Sequence, residues 1–317
     1  MKTKNTVTVV SMVAVLLALS LLCIFSKKES YSESERRALA KFPELSVESI
    51  SNGSFASKFE EYATDNFPKR DIWRSVKAYT RLYFFMQKDN NGIYVKEGYV
   101  SKLEYPRNAE MQDHAIDLFC KINEKYLSDS RVYFAMIPDK NLFLSELSYD
   151  YGEMEKYMAD NMPYAVPIQI THLLSKEDFY YTDTHWRQEK IVPVAEHIAS
   201  SMGAEIGGKY KEIKADIPFY GVYAGQSALK VSPDELYYLT NDAIESYDIS
   251  VLDTSGVFRL DNAYDMSKLE GPDPYEMFLS GNRPVVTIKN ANAQNDKRLI
   301  VFRDSFGSSI APLLAEG

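Results

Sequence analysis

The sequence predicts an α/β protein with an N-terminal helical accessory region and one membrane anchor. Three observations carry that expectation. An uncharged apolar run occupies residues 7–26. Aromatic residues recur at helical spacing through the next segment. From about residue 111, short β-rich runs then alternate with amphipathic helical stretches.

The run from Val7 to Ser26 carries no charge, and at roughly 1.5 Å per residue its about 20 residues reach across a hydrocarbon core. Lys2 and Lys4 precede it, and Lys27 and Lys28 follow, so charge alone does not choose the topology. A cleaved signal peptide has a shorter apolar core and a small-x-small site, and Ala-x-Ala is absent here. Cys23 follows Leu22, where a lipoprotein would carry a small residue. The pattern therefore favours an uncleaved signal anchor over residues 1–26.

Residues 27–110 read as a polar tether leading into helices and a hairpin. Phe55, Phe59 and Tyr62 share a helix face, and Asp65-Asn66-Phe67-Pro68 ends it. A second helix is predicted from Arg70 to about Met86. After Asn90-Asn91-Gly92, the runs Ile93-Tyr94-Val95 and Tyr99-Val100 flank Lys96-Glu97-Gly98 as a short hairpin.

Residues 111–317 form the predicted α/β domain. A helix is expected over Asp113–Tyr126, with Cys120 as a small buried hydrophobe, and a buried strand over Val132–Ile137. Arg187–Met202 reads as an amphipathic helix in which Pro193 kinks or delays the start. Strands are expected at Ile249–Leu252, Val257–Leu260, Pro284–Lys289 and Leu299–Phe302. The last of these leads through Asp304-Ser305 into a helix near Gly307. A parallel sheet ordinarily adds a strand after such a helix, so a truncated C-terminus is expected.

The net charge of −9 lacks the basic stripe that a nucleic-acid partner requires. The 23 tyrosines combine a flat apolar face with a hydroxyl, which suits carbohydrate as well as a core. Of two cysteines only Cys120 lies beyond the apolar run, so no intrachain disulfide framework forms there. No second histidine or cysteine stands at ligand spacing, so no metal and no cofactor is expected.

Two short motifs carry chemistry. Asp183-Thr184-His185-Trp186 sets a carboxylate two residues from an imidazole, and Asp304-Ser305-Phe306-Gly307 sets a serine between an apolar run and a helix. Together they supply nucleophile, base and orienting acid for acyl transfer. Each also has a structural reading. Asp304 or Ser305 serves equally as a helix cap, and Asp183 as a cap with His185 incidental. Of the other three histidines, His114 and His172 have no carboxylate arranged beside them and read as surface or structural residues, and His197 lies off the apolar face of its helix and reads as solvated.

These residues resemble those of the alginate O-acetyltransferase group of SGNH-hydrolase-like proteins, and the whole chain resembles the bacterial DHHW family more closely still. Further support comes from Arg37-Ala38-Leu39-Ala40-Lys41-Phe42-Pro43, Asp65-Asn66-Phe67-Pro68-Lys69-Arg70-Asp71, Phe219-Tyr220-Gly221 and Gly281-Asn282. The resemblance implies a three-layer α/β/α, flavodoxin-like sandwich in permuted order, on a single-pass extracytoplasmic protein of a bacterial cell membrane. It also implies Ser305 as nucleophile, His185 as base and Asp183 as orienting acid. Gly221, Asn282, Arg303 and Trp186 are oxyanion or substrate candidates. Thr184 departs from the second residue of the DHHW motif, and Arg303 stands where such hydrolases carry glycine.

The implied activity is O-acetylation of a cell-surface or exopolysaccharide, with a membrane-bound O-acyltransferase as candidate acetyl donor. The alternatives are an acetylesterase of the same fold and a non-catalytic glycan-binding scaffold. A Ser305–His185 separation within about 3–4 Å separates the enzymes from the scaffold.

Overall fold

The N-terminal apolar run forms one helix, Lys2–Phe25, long and apolar enough to cross a membrane. The computed structural model describes residues 2–293 and 295–317, with side chains from residue 5 onward. The chain divides into two units. One comprises Met1–Gln87 with Gly225–Leu229, and the other Lys88–Ala224 with Lys230–Gly317. The hairpin over Ile93–Lys96 and Tyr99–Lys102 therefore falls in the second unit, not in an accessory region ending at 110.

In the first unit the expected helices form over Ser54–Asp65 and Arg70–Tyr79, the latter running into a π-helical turn at Thr80–Phe84. Phe42 packs edge-on against Phe55, Phe59 and Tyr62, the aromatic face visible in the sequence. Charge supplies the second fastening. Arg37 donates both terminal nitrogens to Asp65, at 2.8 and 2.6 Å, and the Ala40 amide donates to the same carboxylate at 2.9 Å. Arg70 lies 3.5 Å from Asp65 and pairs with Glu35 at 2.5 Å. The segments at 37–43 and 65–71 thus meet at one carboxylate.

In the second unit helices run over Ala109–Ile122 and Val192–Ser201. Pro193 sits in the first turn of the latter, after a 3-10 turn at Gln188–Lys190, so it delays the helix rather than kinking it. Cys120 is half-buried rather than buried, packed beside Ile116, Met162 and Ala165. Val132–Phe134 pairs in parallel with Ala165–Pro167, the only parallel pairing among the described residues. Asp248–Asp253 is flanked on both sides by antiparallel partners, Gly256–Leu260 and Val285–Lys289.

One expected strand does not form. Leu299–Phe302 has no ladder partner among the described residues, and its four side chains are 50, 70, 46 and 59% exposed. Apolar β-branched composition favours a strand only where a neighbouring chain supplies the ladder. None does here, so the run is an irregular lead-in to the helix Gly307–Leu314.

The main core gathers Phe179, Tyr180, Trp186, Phe219 and Phe278, each without solvent exposure, around the segment that carries the Asp183 motif.

Candidate active site

The Asp183 motif occupies a tight loop whose base is closed by an isolated antiparallel bridge between Phe179 and Trp186. Tyr180 N–H donates to the His185 carbonyl at 3.2 Å, and Arg187 N–H to the Asp178 carbonyl at 2.8 Å. Phe179, Tyr180 and Trp186 are buried in the core, which holds both stems of the loop. This is a physical reason for so much aromatic residue beside Asp183 and His185: burial of the stems fixes the loop.

At its tip, His185 Nδ1 lies 2.5 Å from Asp183 Oδ2, and His185 Nε2 lies 2.7 Å from Ser305 Oγ. A carboxylate can only accept, so Nδ1 carries the proton and Nε2 turns its lone pair toward the serine hydroxyl. The second oxygen of Asp183 accepts the Val222 amide at 2.7 Å. Asp183 is buried and His185 nearly so, whereas Ser305 is exposed. A buried carboxylate and imidazole thus face an accessible hydroxyl, a geometry in which the imidazole can take up the hydroxyl proton.

The helix-cap reading of Ser305 fails on geometry, because its hydroxyl meets the imidazole and the helix over Gly307–Leu314 has no side-chain cap. Asp304 serves the local turn, accepting the Phe306 amide at 3.0 Å. The Ser305 amide itself donates no hydrogen bond among the described residues. It stands at the N-terminal end of a helix, where partial positive charge collects.

His185 also stacks on Tyr275, with ring centroids 3.8 Å apart and an interplanar angle of 8°. Complete burial pushes the Tyr275 phenol well above its ordinary value, so it stays neutral. Its hydroxyl donates to Ser309 Oγ at 2.9 Å, and so does the Trp186 indole N–H, also at 2.9 Å. Gln188 Nε2 donates to the Ser309 carbonyl at 2.7 Å. The loop that carries His185 and the helix after Ser305 are therefore joined through Ser309.

This geometry places the chain among known folds. No family model matches the sequence, and no curated protein matches it. Among solved structures it resembles a DHHW family protein from Eubacterium siraeum, with a TM-score of 0.59 at 17% identity, over 71% of this chain and 79% of that one. Its fold is that of a DHHW family protein. It is also similar to PatB1 from Bacillus cereus, with a TM-score of 0.53 at 20% identity over 72% of this chain and 85% of that one. A second PatB1 structure, with a sulfonyl adduct, gives a TM-score of 0.54 at 21% identity, over 71% of this chain and 82% of that one.

Within this DHHW-type fold the four further candidates from the sequence take different positions. Trp186 is fully buried, so it fastens the loop rather than touching a substrate. Gly221 donates its amide to Thr182 Oγ1 at 2.8 Å, which removes it as an oxyanion donor. A Cβ at Gly221 would fall 2.2 Å from Asp183 Cβ, so glycine is needed for close approach. Arg303 lies along the start of the helix, donating to Ser308 Oγ at 2.6 Å and to the Asp304 carbonyl at 3.1 Å. Asn282 is exposed, next to Gly281 at φ 81°.

Sequence reasoning missed Tyr275, Gln188 and Ser309, which hold the site together, and two buried charges, Lys140 and Asp234. Tyr275, Lys140 and Asp234 lie far in sequence from both motifs, and Gln188 and Ser309, each two residues beyond one motif, make their contacts across 121 and 123 residues. Among the described residues no cluster of three or more His, Cys, Asp or Glu side chains could hold a metal.

Proposed function

We propose that the chain is a membrane-anchored, extracytoplasmic O-acetyltransferase acting on a cell-surface or exopolysaccharide through Ser305, His185 and Asp183. The observation that carries this reading is the unbroken line from Ser305 Oγ through the two nitrogens of His185 to Asp183 Oδ2, at 2.7 and 2.5 Å. In this reading the helix Lys2–Phe25 is the anchor, the α/β layers follow the permuted order, and a membrane-bound O-acyltransferase delivers the acetyl group.

Ser305 Oγ attacks the carbonyl carbon of the acetyl donor as His185 Nε2 takes the hydroxyl proton. Negative charge develops on the carbonyl oxygen, and the Ser305 amide is the donor best placed to meet it. Collapse expels the leaving group with the proton from His185 and leaves acetyl-Ser305. A sugar hydroxyl then gives its proton to Nε2, attacks the acyl carbon, and departs as the acetyl ester, restoring the serine. Asp183 holds the imidazole tautomer in both halves. The sulfonyl adduct of PatB1 supports the reading, because sulfonyl groups are trapped by an activated nucleophile.

Hydrolysis is the second reading, favoured by the exposure of Ser305, which admits water as readily as sugar. The test is turnover of a chromogenic acetyl ester by the full chain, with and without an oligosaccharide acceptor, against Ser305→Ala. Serine-dependent release accelerated by the acceptor supports the transferase, and release indifferent to it supports the esterase. No acylation of Ser305 by a folded wild-type chain removes both and leaves the glycan-binding scaffold.

A further inference from the structure

Lys140 is a lysine with no solvent exposure, far from any surface role. It follows Pro138-Asp139 at the start of the short helix Asn141–Leu144. An ammonium has three N–H donors and needs three acceptors when buried. All three are provided by one loop. Nζ lies 3.0 Å from the Tyr180 carbonyl, 3.3 Å from that of Tyr181 and 2.7 Å from that of Asp183. The rings of Tyr99 and Tyr223 wall the cation at 5.8 and 5.1 Å.

The amide side of the same loop meets the opposite charge. Asp234, 8% exposed, accepts the Tyr181 amide at 2.7 Å, the Thr182 amide at 2.7 Å and the Thr182 hydroxyl at 2.6 Å. The peptide groups joining 180 to 181 and 181 to 182 therefore lie between a cation facing their carbonyls and an anion facing their amides, and the Asp183 carbonyl meets the cation alone. Each charge meets the complementary end of the peptide dipoles. Buried charges are expensive, and packing alone would hold a loop with apolar side chains at less cost. What two charges add is direction, since they fix which way each peptide plane faces.

We propose that Lys140 is a positioning residue for the Asp183–His185 pair, acting through the backbone of the loop that carries both, with Asp234 as its counterpart on the opposite side. This rests on the triad reading of Ser305, His185 and Asp183. A turn of the Asp183 peptide plane would swing its carboxylate away from Nδ1 and release the tautomer that leaves Nε2 free to accept.

The arrangement carries a pH signature. Burial pushes the Lys140 ammonium down to about 8 against the pull of Asp183, Asp139 and Asp234, the charged groups that face it. Above that value the neutral amine offers two donors to three carbonyls, and one carbonyl loses its partner. Folding responds in the other direction. The folded state releases this proton before the unfolded chain does, so stability from this group rises with pH above about 8. A loss of reactivity without a loss of stability separates positioning from unfolding.

The test uses the full chain in detergent micelles and phenylmethanesulfonyl fluoride as probe. Ser305 Oγ bonds to sulfur, fluoride leaves, and His185 takes the proton; intact mass reports the rate. The expected wild-type rate falls as pH passes about 8 while the melting temperature does not fall. Lys140→Met should react about a hundredfold more slowly near neutral pH, the scale of a misplaced catalytic group. It should also lack the alkaline fall, and Lys140→Arg should recover part of the rate. A folded wild type that is not labelled at Ser305 overturns the triad and this inference with it. Labelling of Lys140→Met at the wild-type rate and pH profile overturns this inference alone. If Lys140→Met does not fold, the wild-type profile decides, and a rate undiminished to about pH 9.5 overturns it.

Discussion

Trp186 and Ser309 are joined by a 2.9 Å hydrogen bond that ties the residue after His185 to the helix after Ser305. Ser309 Oγ accepts from both Trp186 and Tyr275 and donates to the Phe306 carbonyl at 3.2 Å. Its hydroxyl is thus fully used in a site with no exposure. Ser309→Ala leaves the buried Tyr275 hydroxyl without its acceptor, at about 1–3 kcal/mol where nothing replaces the lost partner, and leaves the Trp186 indole N–H only the Phe306 carbonyl at 3.3 Å. Trp186→Phe removes one donor and keeps most of the ring, so its effect should be the smaller. Denaturant unfolding of the two variants checks that order. Equal stability of Ser309→Ala and wild type would show that the network is not what joins the two segments.

The proposed orienting role of Asp183 gives a kinetic prediction. Asp183→Asn keeps an oxygen for the Val222 amide but can turn an N–H toward His185 Nδ1. That selects the other tautomer and puts a proton on Nε2, where Ser305 needs an acceptor. In triads of this kind the corresponding change lowers kcat by about 10⁴-fold with the geometry intact. Single-turnover acylation of Ser305 should drop on this scale, with an unchanged melting temperature as the control. A loss of less than tenfold would mean that Asp183 only fastens the loop.

Gly221 tests the same pair from the other side. A methyl group there would lie 2.2 Å from Asp183 Cβ and 2.4 Å from Asp183 Cα, which backbone cannot yield cheaply. Overpacking of this kind costs about 1–3 kcal/mol. The displaced group is the one that holds the base, so Gly221→Ala should slow acylation more than it lowers stability. The measurement is acylation rate and unfolding free energy on one preparation, and a change in stability alone would place Gly221 outside the site's support.

The meeting of Ser305, His185 and Asp183 was legible in the sequence because the carboxylate and imidazole sit two residues apart and the serine sits at a helix start. Both are local patterns. The aromatic face of Phe55, Phe59 and Tyr62 and the delaying role of Pro193 were legible for the same reason. What the sequence did not disclose is long-range. Lys140 meets the Asp183 loop across 43 residues, and Ser309 meets Trp186 across 123. The two motifs pointed to each other, but nothing local to Lys140 or Ser309 marks the individual contact. Leu299–Phe302 failed for a related reason: its composition states a preference for a ladder, and ladders depend on what lies alongside. Trp186 and Gly221 were noticed for the right motif and assigned the wrong work, since a motif does not say which of its members face outward.

The first unit offers a prediction independent of catalysis. Asp65 is buried, and the Arg37 guanidinium beside it, followed by the Ala40 amide, holds its carboxyl below the usual carboxylate range despite the opposing effect of burial. A carboxyl whose folded value is depressed adds stability that is fully present above the unfolded value of about 3.9, and that is lost as pH falls through the folded value. Asp65→Asn removes the charge that Arg37 and Arg70 share and leaves two guanidinium groups facing a neutral amide. Arg37 is 41% exposed, so water screens part of the loss and the expected destabilisation is about 1–3 kcal/mol at neutral pH. The difference in unfolding free energy between wild type and variant should shrink as pH drops below about 4. A difference that stays constant down to acid pH would assign the effect to packing of the side chain and not to its charge.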